Sequence, residues 1–204
     1  MRLSSHLDKG FWTLADKGIL AAYGILFMLL VIRILSEQEY GNFVLIQNAF
    51  LMVSHLGVSL GMAPYVKHYH ENPNRLALQS NALMLFALFF LLLLLLLWPA
   101  RAALGALFNS PDFATLFYFL PLLIGASFLK QFTNEVFRAS YNIKAIFLTD
   151  LVLVCVNALM VGALIYTRQL DSAYDMLRTM TIAYAASSAA GVMLALRQIE
   201  FGFR

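Results

Sequence analysis

Six apolar stretches, separated by short polar connections, constrain this chain more than any other feature of its sequence. They run over about 11–35, 38–64, 75–98, 112–135, 143–166 and 175–197. Roughly 20 helical residues cross about 30 Å of hydrocarbon, and each stretch is that long. Apolar residues make up 61% of the chain and charged residues 12%. That is about half the charge a water-facing surface carries, which excludes an ordinary soluble domain. Strands in lipid would have to close into a barrel with alternating patterning, and no such alternation is present. The expected fold class is therefore all-α: a polytopic six-helix transmembrane bundle, one domain over 1–204. The first apolar stretch exceeds a signal-peptide core, so it reads as a retained span.

Local signals mark the helix ends. Ser36-Glu37-Gln38-Glu39 is a capping box, with Ser36 as N-cap and Glu39 reaching back. Ser110-Pro111-Asp112 starts the fourth helix with a cap, a proline and an acid. Ser172 and Asp175 repeat the pattern before the sixth. Pro64 and Pro99 are expected to end the second and third helices, and Pro121 to kink the fourth.

The basic residues are asymmetric between the two sides. Arg2, Lys9, Lys17, Lys67, Arg75, Lys130, Arg138, Lys144, Arg197 and Arg204 fall on the side of the termini, ten in all. Arg33, Arg101, Arg168 and Arg178, four in all, fall on the other. The positive-inside rule then places both termini in the cytoplasm. Because the net charge of +3 serves topology, it does not point to nucleic acid.

The helix faces differ in what they can pack. Leu91 to Leu97, after Phe89 and Phe90, has no polar side and is expected to face lipid. Gly57-Val58-Ser59-Leu60-Gly61 is a small-xxx-small pattern that admits a close neighbour. A band of Ala183, Ala185, Ala186, Ser187, Ser188, Ala189, Ala190 and Gly191 does the same on the last helix.

Ionisable groups within spans are costly, so each needs an account. Asp16, Lys17, His55 and Asp150 lie in the half of the bundle nearer the termini, and Gln47, Asn48 and Asn157 lie deeper. Together they outline an inward-facing polar vestibule. The alternative for Asp16 and Lys17 is an interfacial place with Lys17 snorkelling to the headgroups. His55 has the alternative of hydrogen bonding to a neighbouring carbonyl. Asp150 lies too deep to go without a partner, a proton or water. His68-Tyr69-His70-Glu71 has superficial metal-ligand spacing, but no second cluster completes a site, and a solvated loop is expected. The lone Cys155 offers no disulfide within the chain. Nucleotide-binding, metalloprotease and nucleophile-elbow motifs are absent from the sequence, so neither an enzyme nor a cofactor is expected.

The first connection, Arg33-Ile34-Leu35-Ser36-Glu37-Gln38-Glu39-Tyr40-Gly41, resembles the signature of the polysaccharide biosynthesis, or O-antigen flippase, family. That family belongs to the multidrug/oligosaccharidyl-lipid/polysaccharide exporter superfamily. His55 to Gly61 and Phe137 to Ala145 are similar to the family's second-helix end and its 4–5 connection. Arg33, Leu35, Tyr40 and Gly41 are read as architectural, Gly41 by admitting a close neighbour and Arg33 by reaching headgroups or pairing with Glu37 or Glu39. The resemblance implies one MATE-like lobe of a transporter in a bacterial inner membrane. Its cargo would be a lipid-linked oligosaccharide, with Gln47, Asn48 and Asn157 meeting sugars and Lys17 the pyrophosphate. Asp16, Asp150 and His55 would then handle a coupling proton or cation. Family members have two lobes and this chain matches the N-terminal one, so a second lobe or second subunit is expected as partner. The rival readings are a drug-exporting lobe of the same superfamily and a non-transporting scaffold for glycan assembly.

Overall fold

The computed structural model describes residues 3–71, 73–107 and 115–196. It is all-helical, with 89% helix and no strand among the described residues. The helices are α1 (Leu3–Ile34), α2 (Glu37–Gly57), α3 (Ala63–His68), α4 (Arg75–Leu107), α5 (Phe119–Ala139), α6 (Ile143–Tyr166) and α7 (Ala173–Leu196). A π-helical turn, Val58–Met62, joins α2 to α3.

Among the described residues, five segments are long and apolar enough to cross a membrane. They are Lys9–Ile34, Glu37–His68, Ala77–Leu97, Ile143–Tyr166 and Ala173–Leu196. The fourth expected span, about 112–135, corresponds to α5, which carries Lys130, Gln131, Asn134 and Glu135 and so falls short in apolarity. Its place in the bundle gives the reason. α5 packs against α7, α6 and α2, and its buried face includes Leu120, Leu123, Ile124, Lys130, Thr133 and Glu135. A helix surrounded by protein finds partners for polar groups that lipid would leave unsatisfied. The outer helices show the complementary pattern. Leu91, Leu92, Leu95 and Leu96 of α4 are exposed, as are Ile25, Leu26 and Leu29 of α1. This outward apolar surface fits a multi-pass membrane protein.

The two ends of the bundle are chemically distinct. Lys9 lies over the Tyr141 ring, Tyr141 stacks on His70, and Arg75 lies over Tyr69. These contacts bring the start of α1, the α3–α4 connection and the α5–α6 turn to one basic end. The opposite end holds the α1–α2 and α6–α7 connections, with Glu37, Glu39, Asp171 and Asp175. Arg2, Arg197, Arg204 and the Ser110-Pro111-Asp112 signal lie outside the described residues.

Several local expectations need correction. Pro99 does not end its helix, because α4 continues through it to Leu107. Pro64 does not end the second span either. The wider π turn precedes it, so the proline sits in the first turn of α3, where its missing N–H costs little. Pro121 occupies the third position of α5, again a first turn, and so does not kink a helix interior. A Cβ on Gly41 would meet nothing within 4 Å, so this glycine admits no close neighbour. The small-xxx-small pair does. A Cβ on Gly57 would lie 3.0 Å from the Phe90 ring, and one on Gly61 would lie 3.1 Å from the Phe86 backbone.

The capping expectations hold at Ser36, whose hydroxyl accepts from the Glu39 N–H at 3.3 Å. They hold also at Ser172, which accepts from the Asp175 N–H and donates to its carboxylate at 2.6 Å. Glu39 does not reach back to its own helix. Its carboxylate accepts from the Ala173 N–H at 2.7 Å and so caps α7, 134 residues away. An anion at a helix N-terminus satisfies an orphan donor and meets the positive dipole end. Glu39→Ala is expected to cost about 1–2 kcal/mol, as loss of a cap does, and Glu39→Gln less. Thermal unfolding in detergent, with amide exchange in the first turn of α7, checks this.

Candidate functional site

Apart from Glu135, which pairs with Arg138 at 2.7 Å, the buried charged groups of the bundle gather in its basic half. Asp150 lies seven residues into α6, roughly 10 Å along the helix. Lys130 of α5 places its ammonium 2.5 Å from Asp150 Oδ1, and both side chains are buried. From α1, the Asp16 carboxylate stands in the electrostatic field of Asp150. Lys17 Nζ sits 2.9 Å from Asp16 Oδ2 at the surface, its side chain 66% exposed against 4% for Asp16. The result is a row of four charged side chains, Lys17–Asp16–Asp150–Lys130, with a cation at each end and two carboxylates between them, that runs from the bundle surface into its interior.

A polar shell positions this row. The Lys130 N–H donates to Ser188 Oγ at 3.0 Å, which in turn donates to the Ala126 carbonyl. Ser187 of α7 donates to the Thr149 carbonyl at 2.6 Å. Thr149 Oγ1 lies 2.9 Å from Asn134 Oδ1, to which it donates. These bonds stitch α5, α6 and α7 together where the small band of α7 lets them approach. A Cβ on Gly191 would lie 2.5 Å from Thr133 Oγ1. Tyr184 of α7 stands in the electrostatic field of Asp150 and meets Phe50 of α2 at 5.0 Å between ring centroids.

Not every expected site residue joins the cluster. Asp16, Lys17 and Asp150 belong to it. Asn157 is buried two turns beyond Asp150 on the same helical face, and its Oδ1 has no hydrogen-bond partner. Gln47 is half-buried elsewhere, lining an open groove of about 550 Å³ between α1 and α2 with Leu20, Gly24, Phe27 and Met28. Asn48 and His55 are exposed on α2. Lys130 is the participant that sequence reasoning placed differently, counting it with the basic connections. A usable signal was present: Lys130 and Asp150 stand ten residues either side of Ser140, in the turn that joins two antiparallel helices.

Around the first connection, Leu35 is buried, Tyr40 half-buried and Arg33 exposed. In the loop near the basic end, His68 Nδ1 lies 3.0 Å from Glu71 Oε2, both side chains being exposed. Among the described residues no group of three or more His, Cys, Asp or Glu side chains is placed to hold a metal ion.

The chemistry available to the cluster follows from its charges. Two neighbouring carboxylates are costly to keep ionised together in a low-dielectric interior. Lys130 offsets one of them. The other is left to Lys17 at the edge or to a proton between Asp16 and Asp150. Asp16 Oδ1, buried and without a hydrogen bond of its own, is an acceptor that such a proton would satisfy. Comparison with protein-family models, with curated proteins and with solved structures yields no match.

Proposed function

We propose that the chain is one lobe of a transporter that flips lipid-linked oligosaccharides from the inner to the outer leaflet of a bacterial inner membrane. In this reading the chain crosses the membrane six times, α5 included, with both termini in the cytoplasm at the basic end. It acts without chemistry of its own, as a MATE-like exporter lobe completed by a second lobe or subunit. The observation that carries the proposal is the Lys17–Asp16–Asp150–Lys130 row, buried from Asp16 inward, which crosses from α1 to α6 to α5. A bundle held together only by packing gains nothing from two carboxylates at this depth, because apolar residues of similar volume are as stable or more so. Ionisable groups retained inside a membrane bundle mark ion or substrate paths.

In the working cycle, Asp16 and Asp150 exchange a proton or cation as α1 moves against α6. Toward the other end α1 stays packed on α2 through Phe27, Val31 and Leu35, so the movement in this reading is a rocking of α1 about that contact. Gln47, which lines the groove, and its exposed neighbour Asn48 are the groups this reading assigns to sugar hydroxyls. The first-connection motif, Arg33 to Gly41, supports the family reading through its sequence and through Glu39, which ties α2 to α7.

The test uses the host cell. With Asp150→Asn in place of the native residue, lipid-linked oligosaccharide is expected to accumulate in the inner leaflet and flipping to fall tenfold or more. Unchanged flipping with normally folded protein would defeat the proposal. Loss of efflux of a cationic dye, with flipping intact, would favour a drug exporter. A fall in oligosaccharide synthesis with no inner-leaflet build-up would favour a scaffold.

A further inference from the structure

At the basic end, α1 and the start of α6 exchange contacts reciprocally. Lys9 of α1 lies 5.2 Å from the centroid of the Tyr141 ring, which belongs to the turn before α6. Lys144 of α6 lies 5.4 Å from the centroid of the Trp12 ring, which belongs to α1. Trp12 packs on Phe147 at 5.1 Å and on Phe11 at 5.6 Å, closing the seam beneath the two ammonium groups. Both lysines are exposed. The surface just below them is apolar: Phe11 is 63% exposed, and Leu148, one turn from Lys144 on the same face, is 43% exposed.

Two cations above an aromatic band, with bare hydrocarbon surface underneath, match a molecule that is anionic at one end and apolar at the other. Indole and phenol rings settle at the headgroup level, and lysines snorkel to reach phosphates there. We propose that the α1–α6 seam is a binding site for an anionic phospholipid. Its phosphate is held between Lys9 and Lys144, and an acyl chain lies along Phe11 and Leu148. The site is separate from the buried charge chain, yet it clamps the seam across which Asp16 and Asp150 meet. An occupied site holds α1 against α6.

The experiment reconstitutes the full chain in nanodiscs of phosphatidylcholine, with or without phosphatidylglycerol, and counts retained lipids by native mass spectrometry. Wild type is expected to retain phosphatidylglycerol preferentially and to unfold at a higher temperature in its presence. Each cation near an anionic lipid contributes about fivefold, so Lys9→Gln with Lys144→Gln should cut the preference roughly twenty-fold. Lys9→Arg with Lys144→Arg should keep it, and so should Arg33→Gln with Arg168→Gln at the other end. The proposal fails if the glutamine pair retains phosphatidylglycerol as wild type does, or if the control pair loses it equally. It fails also if glycerol phosphate in solution stabilises the protein as well as the lipid does, since the site would then read phosphate alone.

Discussion

Lys130→Met is expected to be among the most damaging single substitutions in the protein, lowering its stability by about 3–5 kcal/mol. The ammonium it removes is the interior cation facing Asp150 Oδ1. Without it, two carboxylates confront each other with only exposed Lys17 nearby. The size of the effect comes from the uncompensated charge rather than from the strength of the bond. The companion variant therefore decides the matter. Lys130→Met with Asp150→Asn removes both charges and leaves Asp16 its surface partner, so most of the loss should be recovered. Equilibrium unfolding in mixed micelles measures both. If the single variant unfolds like wild type, Lys130 is solvated in the membrane-embedded protein and the buried chain ends at Asp150. If the double variant is as unstable as the single, the side chain acts by packing instead of charge.

The same pair shows what a linear reading of the chain delivers. That Asp150 needed a partner was legible from the cost of a carboxylate two turns inside a span. Which partner it had was not, because Lys130 counts equally well toward the positive-inside bias. A lysine is assigned to a connection or to an interior only once the hairpin register is known. The local caps at Ser36 and Ser172 were legible, whereas the equally local ones at Asn74 and Asn142 were not. Glu39 defeats the local rule, because its carboxylate accepts from the N-terminus of α7, a partner distant in sequence. The prolines were misread for a related reason. Their effect depends on position within a helix, and the helix starts before Pro64 and Pro121 are set by a π turn and by packing. α5 illustrates the largest gap. Hydropathy ranks helices by affinity for lipid, and a helix that turns its polar residues toward its neighbours has less need of that affinity.

Gly61→Ala and Gly191→Ala are both expected to destabilise the bundle, by about 1–3 kcal/mol each, but only one of them is rescuable. At Gly61 the new methyl would sit 2.9 Å from Phe86 Cδ2 and 3.1 Å from Phe86 Cα. The ring could be trimmed away, but the backbone of α4 cannot, so Phe86→Leu should leave the defect in place. At Gly191 the first obstacle is Thr133 Oγ1 at 2.5 Å, and the next atoms stand at 3.4 Å or beyond. That hydroxyl is held toward its own helix, donating to the carbonyls of Leu129 and Lys130 at 2.8 and 3.1 Å. Thr133→Ala removes it at little cost, because those carbonyls already serve the helix ladder. Gly191→Ala combined with Thr133→Ala should therefore recover near-native stability, whereas Thr133→Val, which keeps an atom in the same place, should not. Gly125→Ala and Gly162→Ala supply the contrast, since a methyl at either meets nothing within 4 Å. Each lies within a helix and should gain roughly 0.5–1 kcal/mol from reduced backbone freedom in the unfolded chain. Thermal unfolding of the series in one detergent suffices to check this. Equal losses at all four glycines would mean that the helices of the bundle do not approach one another as closely as these contacts require.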